Sequence, residues 1–248
     1  MTARIIIDAA TGLGETLTAL LLHEAARAFE ERGRFGLALP GGSVATTFFP
    51  VVARNADVLS GADFFWADER AVSQDDPESN YRLARVLLLD PLGVPPSRIH
   101  RMEADAEDLD AAAAAYEATL VRVLGSPGRL DVVLVGVGPD GHVCSLFPAH
   151  ALLAETRRLV APIIDSPKPP ARRLTLTLPA IENAGLVIVA AFGPAKASAI
   201  GAALTDERSA LPVAKVARRA RRVLFLLDPA AGHLVPPSHA NLGSRSPT

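Results

Sequence analysis

Residues 136–148 read GVGPDGHVCSLFP, and they follow the apolar run LDVVLV (130–135) without a break. An imidazole titrates near neutral pH, so His142 is suited to act as a general base. Gly136, Gly138 and Gly141 permit a backbone that curls around a ligand. Asp140 can orient the ring or stay solvated. A structural histidine capping a loop would explain an isolated residue, but the glycines and the preceding buried strand favour a functional one. Cys144 and Ser145 are the obvious nucleophiles nearby, yet the chain has no GxSxG elbow. Cys144 is read as a small buried residue and Ser145 as a cap for the following turn. His142 and His150 are too far apart for an i, i+4 metal pair, HExxH is missing, and no metal centre is expected.

Two further stretches carry polar chemistry. PGGS (40–43) precedes a helical segment. Gly41 and Gly42 let backbone N–H groups approach an anion, Ser43 adds a hydroxyl, and a helix N-terminus favours negative charge. A plain strand-to-helix turn with Ser43 as N-cap accounts for the same residues. DER (68–70) sets Asp68 beside Arg70, a pair able to align a polar substrate. A surface ion pair is the alternative, weakened by the preceding FFW. Arg173, opening RLTLT, and Lys196, in FGPAKA, could complete a phosphate clamp with PGGS. The RR pairs at 218–219 and 221–222 lack interleaved aromatics and read as a solvated face, so no nucleic-acid partner is expected.

The elements that must hold these residues alternate between strand and helix. Strand-like runs fall at 4–8, 35–39, 63–67, 130–135, 158–164, 173–178, 186–191 and 222–227. Helical patterns fall at 13–32, 44–54, 78–90, 106–124 (Asp105 as N-cap) and 194–204. Continuous apolar strands separated by helices predict a mainly parallel sheet covered on both faces, a three-layer α/β/α, Rossmann-like arrangement. Ligands of such sheets bind beyond the carboxyl ends of the strands, and PGGS, DER and GVGPDGH all follow strands. DSPKPPAR (165–172) is the strongest internal loop signal. One domain is expected over 1–234, with a loose tail at 235–248.

The 248 residues are 49% hydrophobic and 21% charged, with a formal net charge of −2. That balance is globular and gives no electrostatic case for nucleic acid or membrane surfaces. A single cysteine excludes an internal disulfide and suits a reducing compartment. MTARIIIDAATGLGE lacks the basic flank and apolar core of a signal peptide, and no run reaches membrane-span length. A cytoplasmic location is expected.

GGS (41–43), FFWADERAVSQDDPESNY (64–81), GVGPDGHVCSLFPAH (136–150), RLTLT (173–177), GPAKA (193–197) and LPVAKV (211–216) together resemble the 6-phosphogluconolactonase family over about residues 10–234. The resemblance implies a fold shared with glucosamine-6-phosphate deaminase and, more distantly, ribose-5-phosphate isomerase A. It implies hydrolysis of 6-phosphoglucono-δ-lactone without metal or organic cofactor. His142 matches the family's general base and Asp68 and Arg70 its acidic-basic pair. Gly42, Ser43, Arg173 and Lys196 match its phosphate-binding positions. Pro40, Val44 and Ala45 depart from the serine and Thr-Pro that often flank the glycine pair, which removes one hydroxyl contact. Deaminases resemble the chain at the glycine pair and DGH, but typically carry tyrosine where Arg70 stands and Phe-Asn-Glu soon after the histidine. Arg70 and SLFP therefore point to the lactonase. A sugar-phosphate-binding domain without catalysis is the non-enzymatic alternative. The expected partner is a small phosphorylated sugar lactone, and the expected assembly a monomer or small homo-oligomer. Backbone N–H groups of the glycine loop, Gly138 among them, or Arg70 would meet the oxyanion. Asp68 and Asp140 are alternative partners for the ring of His142.

Overall fold

The computed structural model describes residues 3–236 and the pair 241–242. Along the chain run β1 (Arg4–Ile7), α1 (Ala10–Arg32), β2 (Gly36–Leu39), α2 (Gly42–Asn55), β3 (Asp63–Trp66) and β4 (Asp68–Arg70). Then come α3 (Asn80–Ala84), α4 (Leu109–Leu124), β5 (Val132–Gly136), β6 (Val160–Ile163), β7 (Arg173–Leu176) and α5 (Leu178–Asn183). The last elements are β8 (Leu186–Ala191), α6 (Ala197–Thr205), α7 (Pro212–Arg219), β9 (Val223–Leu227) and β10 (Asn241–Leu242).

Seven strands form one sheet in the order β10-β1-β9-β8-β5-β2-β3, and every neighbouring pair is parallel. Every residue of β2, β3 and β8 is buried, as strands covered on both faces must be. Helices α1 and α2 pack together, and α7 packs with α5 and α6. This is the three-layer, mainly parallel architecture expected from the sequence. Leu13, Leu17, Leu21, Ala25 and Ala28 recur at helical spacing on α1 and are all buried.

A second, three-stranded sheet, β4-β7-β6, is antiparallel. DER therefore is a strand, not a loop, and the apolar runs at 158–164 and 173–178 belong to this smaller sheet. Three finer expectations also change. Asp108, not Asp105, caps α4, its Oδ1 accepting the Ala111 N–H at 3.0 Å. Asp105 instead meets Arg101 at 2.9 Å. The helix expected at 78–90 is α-helical only over α3 and continues as one π-turn, Arg85–Leu89. Of the expected tail, residues 237–240 and 243–248 lie outside the described residues, while Asn241 and Leu242 pair with Ile6 and Ile7. No helix among the described residues is long and apolar enough to cross a membrane.

Edge strand β3 is covered rather than left open. The His100 N–H donates to the Phe64 carbonyl at 2.9 Å. The buried Tyr116 hydroxyl accepts the Trp66 N–H at 2.7 Å and donates to the His100 carbonyl at 3.0 Å. Tyr116→Phe keeps the ring but leaves both backbone groups unpaired. An unsatisfied buried group costs about 1–3 kcal/mol, and a loss of that size is expected in urea unfolding at unchanged m-value.

Candidate active site

The strand order fixes where a ligand can bind. From β2 the chain winds outward to β3, and from β5 it winds the other way to β8. The switch point of the sheet thus lies between β2 and β5, and crevices open there beyond the strand ends. A cleft of about 220 Å³ occupies this place. Gly41–Val44 after β2, Val135–Pro139 and His142 after β5, and Ala190–Phe192 after β8 line it. Asp68, Arg70, Arg173, Lys168 and Lys196 complete the wall. The three special stretches of sequence therefore do converge.

His142 sits on a tight loop closed by Gly138 N–H to His142 carbonyl and Gly141 N–H to Gly138 carbonyl, each 2.9 Å. The imidazole folds back over this loop so closely that a Cβ on Gly138 would lie 2.0 Å from Nδ1. Nδ1 is 2.5 Å from Asp140 Oδ1. An ionised carboxylate only accepts, so Nδ1 carries the proton and Nε2 presents its lone pair. Nε2 has no hydrogen-bond partner among the described residues. Phe147, from SLFP, backs the ring with centroids 4.7 Å apart. Burial holds the pKa of His142 below the ordinary histidine value; the Asp140 contact pulls the other way, and the Lys168 charge adds to the lowering. Asp140 titrates below the usual carboxylate range. Burial opposes this, but the His142 hydrogen bond and charge, with Lys168, outweigh it.

The DER stretch reaches the cleft because the chain changes sheets at Ala67. Its N–H still donates to Leu39 of the main sheet, while its carbonyl accepts from Leu176 in β7. Asp68 then pairs with Thr175, and Arg70 with Arg173. Alternation along β4 leaves Asp68 and Arg70 on the cleft side and turns Glu69 inward. Glu69 is buried and accepts the N–H groups of Arg70, Asn80 and Tyr81 and the Ser79 hydroxyl. Burial raises its pKa above the usual carboxylate range despite these donors. The turn it organises aims Asn80 Nδ2 at the Asp68 carbonyl, 2.9 Å away. Asn80 also lies so near Gly41 that a Cβ there would meet its Oδ1 at 1.7 Å.

Asp68 does not touch His142. Its Oδ2 accepts the Ser145 hydroxyl at 2.6 Å, so between the two aspartates the geometry selects Asp140 as the partner of the ring. Ser145, expected to cap a turn, is instead wholly buried between Asp68 and Arg173. Cys144 lines the cleft half-buried, and burial pushes its thiol well above the ordinary value, which leaves little thiolate for nucleophilic attack.

The cations differ sharply in what they have left to offer. Arg173 is buried, and its guanidinium donates to the carbonyls of Lys168, Pro169 and Pro170, each at 3.0 Å, and to Ser145 Oγ at 3.4 Å. Those four contacts leave one of five N–H donors free, so the expected phosphate ligand is committed to the loop. Arg70 gives Nη1 to the Glu78 carbonyl at 2.7 Å, while its buried Nε is unpaired. Lys196 follows β8 and has no hydrogen-bond or ion-pair partner among the described residues. Burial, then the charge of Lys168, lowers its pKa. Gly41 and Ser43 do not form a side-chain cap at the start of α2, so Ser43 is not an N-cap and its hydroxyl is not spent there. The sequence gives no individual role to Lys168, Asn80 or Phe147, although Phe147 lies in SLFP and Asn80 in the stretch 64–81. Lys168 is one of three charged residues, with Asp165 and Arg172, inside the strongest loop pattern.

A three-layer fold with an uncapped helix start and a carboxylate-held histidine at its switch point defines an α/β protein whose cleft suits a small anionic ligand. The family described as glucosamine-6-phosphate isomerases/6-phosphogluconolactonase matches residues 8–225. The chain belongs to this family. It is 41% identical over 231 residues to a 6-phosphogluconolactonase of Rattus norvegicus, covering 90% of each chain. It is 38% identical over 239 residues to one of Homo sapiens, covering 93% of this chain and 92% of the other. Among solved structures, a 6-phosphogluconolactonase from Trypanosoma cruzi superposes with TM-score 0.85 at 26% identity, covering 95% and 98%. A monomeric glucosamine-6-phosphate deaminase superposes at 0.78 with 21% identity, a likeness of fold.

The tug between burial and Asp140 has a measurable sign. Asp140→Asn removes the charge that raises the imidazole's affinity for a proton. His142 Cε1–H is expected to titrate at still lower pH by NMR, and an upward move would contradict the assigned contact.

Proposed function

We propose that the protein hydrolyses 6-phospho-D-glucono-1,5-lactone to 6-phospho-D-gluconate, the lactone-opening step of the oxidative pentose phosphate pathway. The observation that carries this reading is the His142 ring, with Nδ1 bound to Asp140 and Nε2 free in a cleft shared with an uncapped helix start and an unpaired lysine. Family membership supports the substrate class. The retained Arg70 and SLFP support lactone opening over deamination.

The lactone carbonyl is already electrophilic, so the chemistry needs a positioned water and no metal or organic cofactor. His142 Nε2 takes a proton from water as the oxygen bonds to C1. The developing oxyanion is met by Arg70, because the expected Gly138 N–H is spent on the His142 carbonyl and the Gly141 N–H on the Gly138 carbonyl. The C1–ring-oxygen bond then breaks, and the ring oxygen takes the proton back from Nε2. The new carboxyl group loses its own proton to solvent. Asp140 keeps the tautomer, and Asp68 holds Ser145 and the Arg173 side of the wall. The phosphate is held by the N–H groups at Gly41, Gly42 and Ser43, by the Ser43 hydroxyl and by Lys196. Arg173 acts there through the loop it grips.

Charge balance supports a phosphorylated substrate. Arg70, Lys168, Arg173 and Lys196 outweigh Asp68 and Asp140 by two positive charges at this site, whereas the chain as a whole carries −2. A phosphate monoester carries about −1.5 to −2 near pH 7. We place the reaction in the cytoplasm, on a free small molecule, with the enzyme a monomer or small homo-oligomer.

A coupled assay with freshly generated lactone, run beside glucosamine 6-phosphate, tests the reaction; turnover of only the second would overturn it. His142→Asn is expected to lower kcat by about 10²–10⁴-fold, the usual range for a general base, against the spontaneous rate. Lys196→Ala is expected to raise KM for the phosphorylated lactone about tenfold or more, since a charge-assisted contact is worth roughly 1.5–3 kcal/mol.

A further inference from the structure

The segment 165–172, whose Lys168 lines the cleft, is a strap anchored at several points. The Ser166 N–H donates to the Ala171 carbonyl at 3.0 Å, and Ser166 Oγ donates to the Lys168 carbonyl at 2.7 Å. Arg173 reaches back from β7 and takes the three successive carbonyls of Lys168, Pro169 and Pro170. The guanidinium itself is stacked over Phe147 at 5.8 Å, on the same ring that backs His142. So much anchoring of one short loop has a consequence at its centre. The Lys168 ammonium is brought 3.3 Å from His142 Nδ1 and 3.5 Å from Asp140 Oδ1.

We propose that Lys168 is a positioning residue for the lactone-opening reaction, an inference that rests on the function proposed above. Held by Arg173's grip on the strap, its ammonium stands beside the His142–Asp140 pair and adds to burial in keeping the imidazole neutral, with Nε2 bare. Nδ1 already donates to Asp140 and cannot accept from a lysine, so Lys168 acts on the ring as a charge. A second proton on the imidazole would put two like charges within hydrogen-bond distance, which disfavours the imidazolium. Asp140 Oδ1, shared between Nδ1 and Nζ, keeps the ammonium from leaving. The charged groups acting on His142 are Asp140 from its own loop, Lys168 from the strap and Asp68 from β4. Lys196, in the turn after β8, acts on the same cluster through Lys168 and Asp140. Removing Lys168 thus leaves both acids and takes away the cation nearest the ring.

The test is Lys168→Met beside Lys168→Arg, read two ways. In the substrate-free protein, the His142 Cε1–H resonance, assigned from the spectrum of His142→Asn, is titrated by NMR. Lys168→Met is expected to raise the midpoint by about half to one pH unit, a like-charge effect reduced by the partial exposure of the lysine. Lys168→Arg is expected to restore it. In the lactone assay the acidic limb of kcat/KM moves up by the same amount, so activity falls about three- to tenfold below the limb and little above it. Arg173→Lys, which loses the three-carbonyl grip, is expected to move the limb in the same direction. A KM increase with the limb unmoved would make Lys168 a substrate contact and overturn the proposal. So would an unmoved NMR midpoint in Lys168→Met. The titration needs no substrate, so it judges the Lys168–His142 coupling even if the lactone is not turned over, and that second failure would count against the proposed function. Should Arg173→Lys not fold, the Lys168 pair decides alone.

Discussion

Three antiparallel pairs, Asp68–Thr175, Glu69–Leu174 and Arg70–Arg173, hold the site together. A parallel sheet delivers its loops to one edge but gives them nothing to lean on there. The β4–β7 pairing supplies that wall. It begins where Ala67 bonds to both sheets at once, so the position of Asp68 and Arg70 is set by backbone hydrogen bonds rather than by flexible side chains. Thr175 Oγ1 accepts the Ser145 N–H at 3.2 Å, tying the histidine loop to the same strand. Arg173, from the end of β7, carries the strap. Removing the pairing would detach all three.

The inner face of this small sheet shows how such a wall is stabilised without weakening the cleft. Glu69 points away from the cleft, into the protein, where an unpaired carboxylate would be costly. It is offset by four donors, three of them backbone N–H groups of residues adjacent in space. The effect is to pin the 79–81 turn, and Asn80 is then fixed between Asp68 and the close approach of Gly41. A buried carboxyl group outside the cleft lining thereby sets the spacing between the DER strand and the glycine turn at 41–43.

Much of the main sheet was legible because strands covered on both faces are written as unbroken apolar runs. FGLAL, LDVVLV and RVLFLL became β2, β5 and β9 with ends shifted by at most two residues, and LVIVAA became β8 unshifted. The same signal misplaced RLVAPII and RLTLTL. An apolar run reports burial but not the direction of its partner, and these two strands pair antiparallel in the second sheet. DER was illegible as a strand because three consecutive charged residues carry no period-two pattern. The convergence of the three special stretches was legible because it follows from sheet topology. The commitment of Arg173 was not, because bonds to main-chain carbonyls select no residue type in the accepting loop.

The choice between Asp68 and Asp140 illustrates the limit from the other side. Both are acids placed near His142 by reasonable readings of the sequence, and only distance separates them. Asp140 is two residues away on a loop whose glycines let the ring fold back over it, so its contact is local and cheap in ordering entropy. Asp68 would have to reach the same nitrogen across the cleft, but its Oδ2 already accepts from Ser145 at 2.6 Å, and the strand that carries it is fixed. The division has a chemical logic. The acid on the histidine's own loop fixes its tautomer, and the acid built into the wall holds Ser145 against Arg173. A single aspartate serving both tasks would couple the proton chemistry of His142 to the placement of the cationic wall. Two aspartates on separate elements keep them independent.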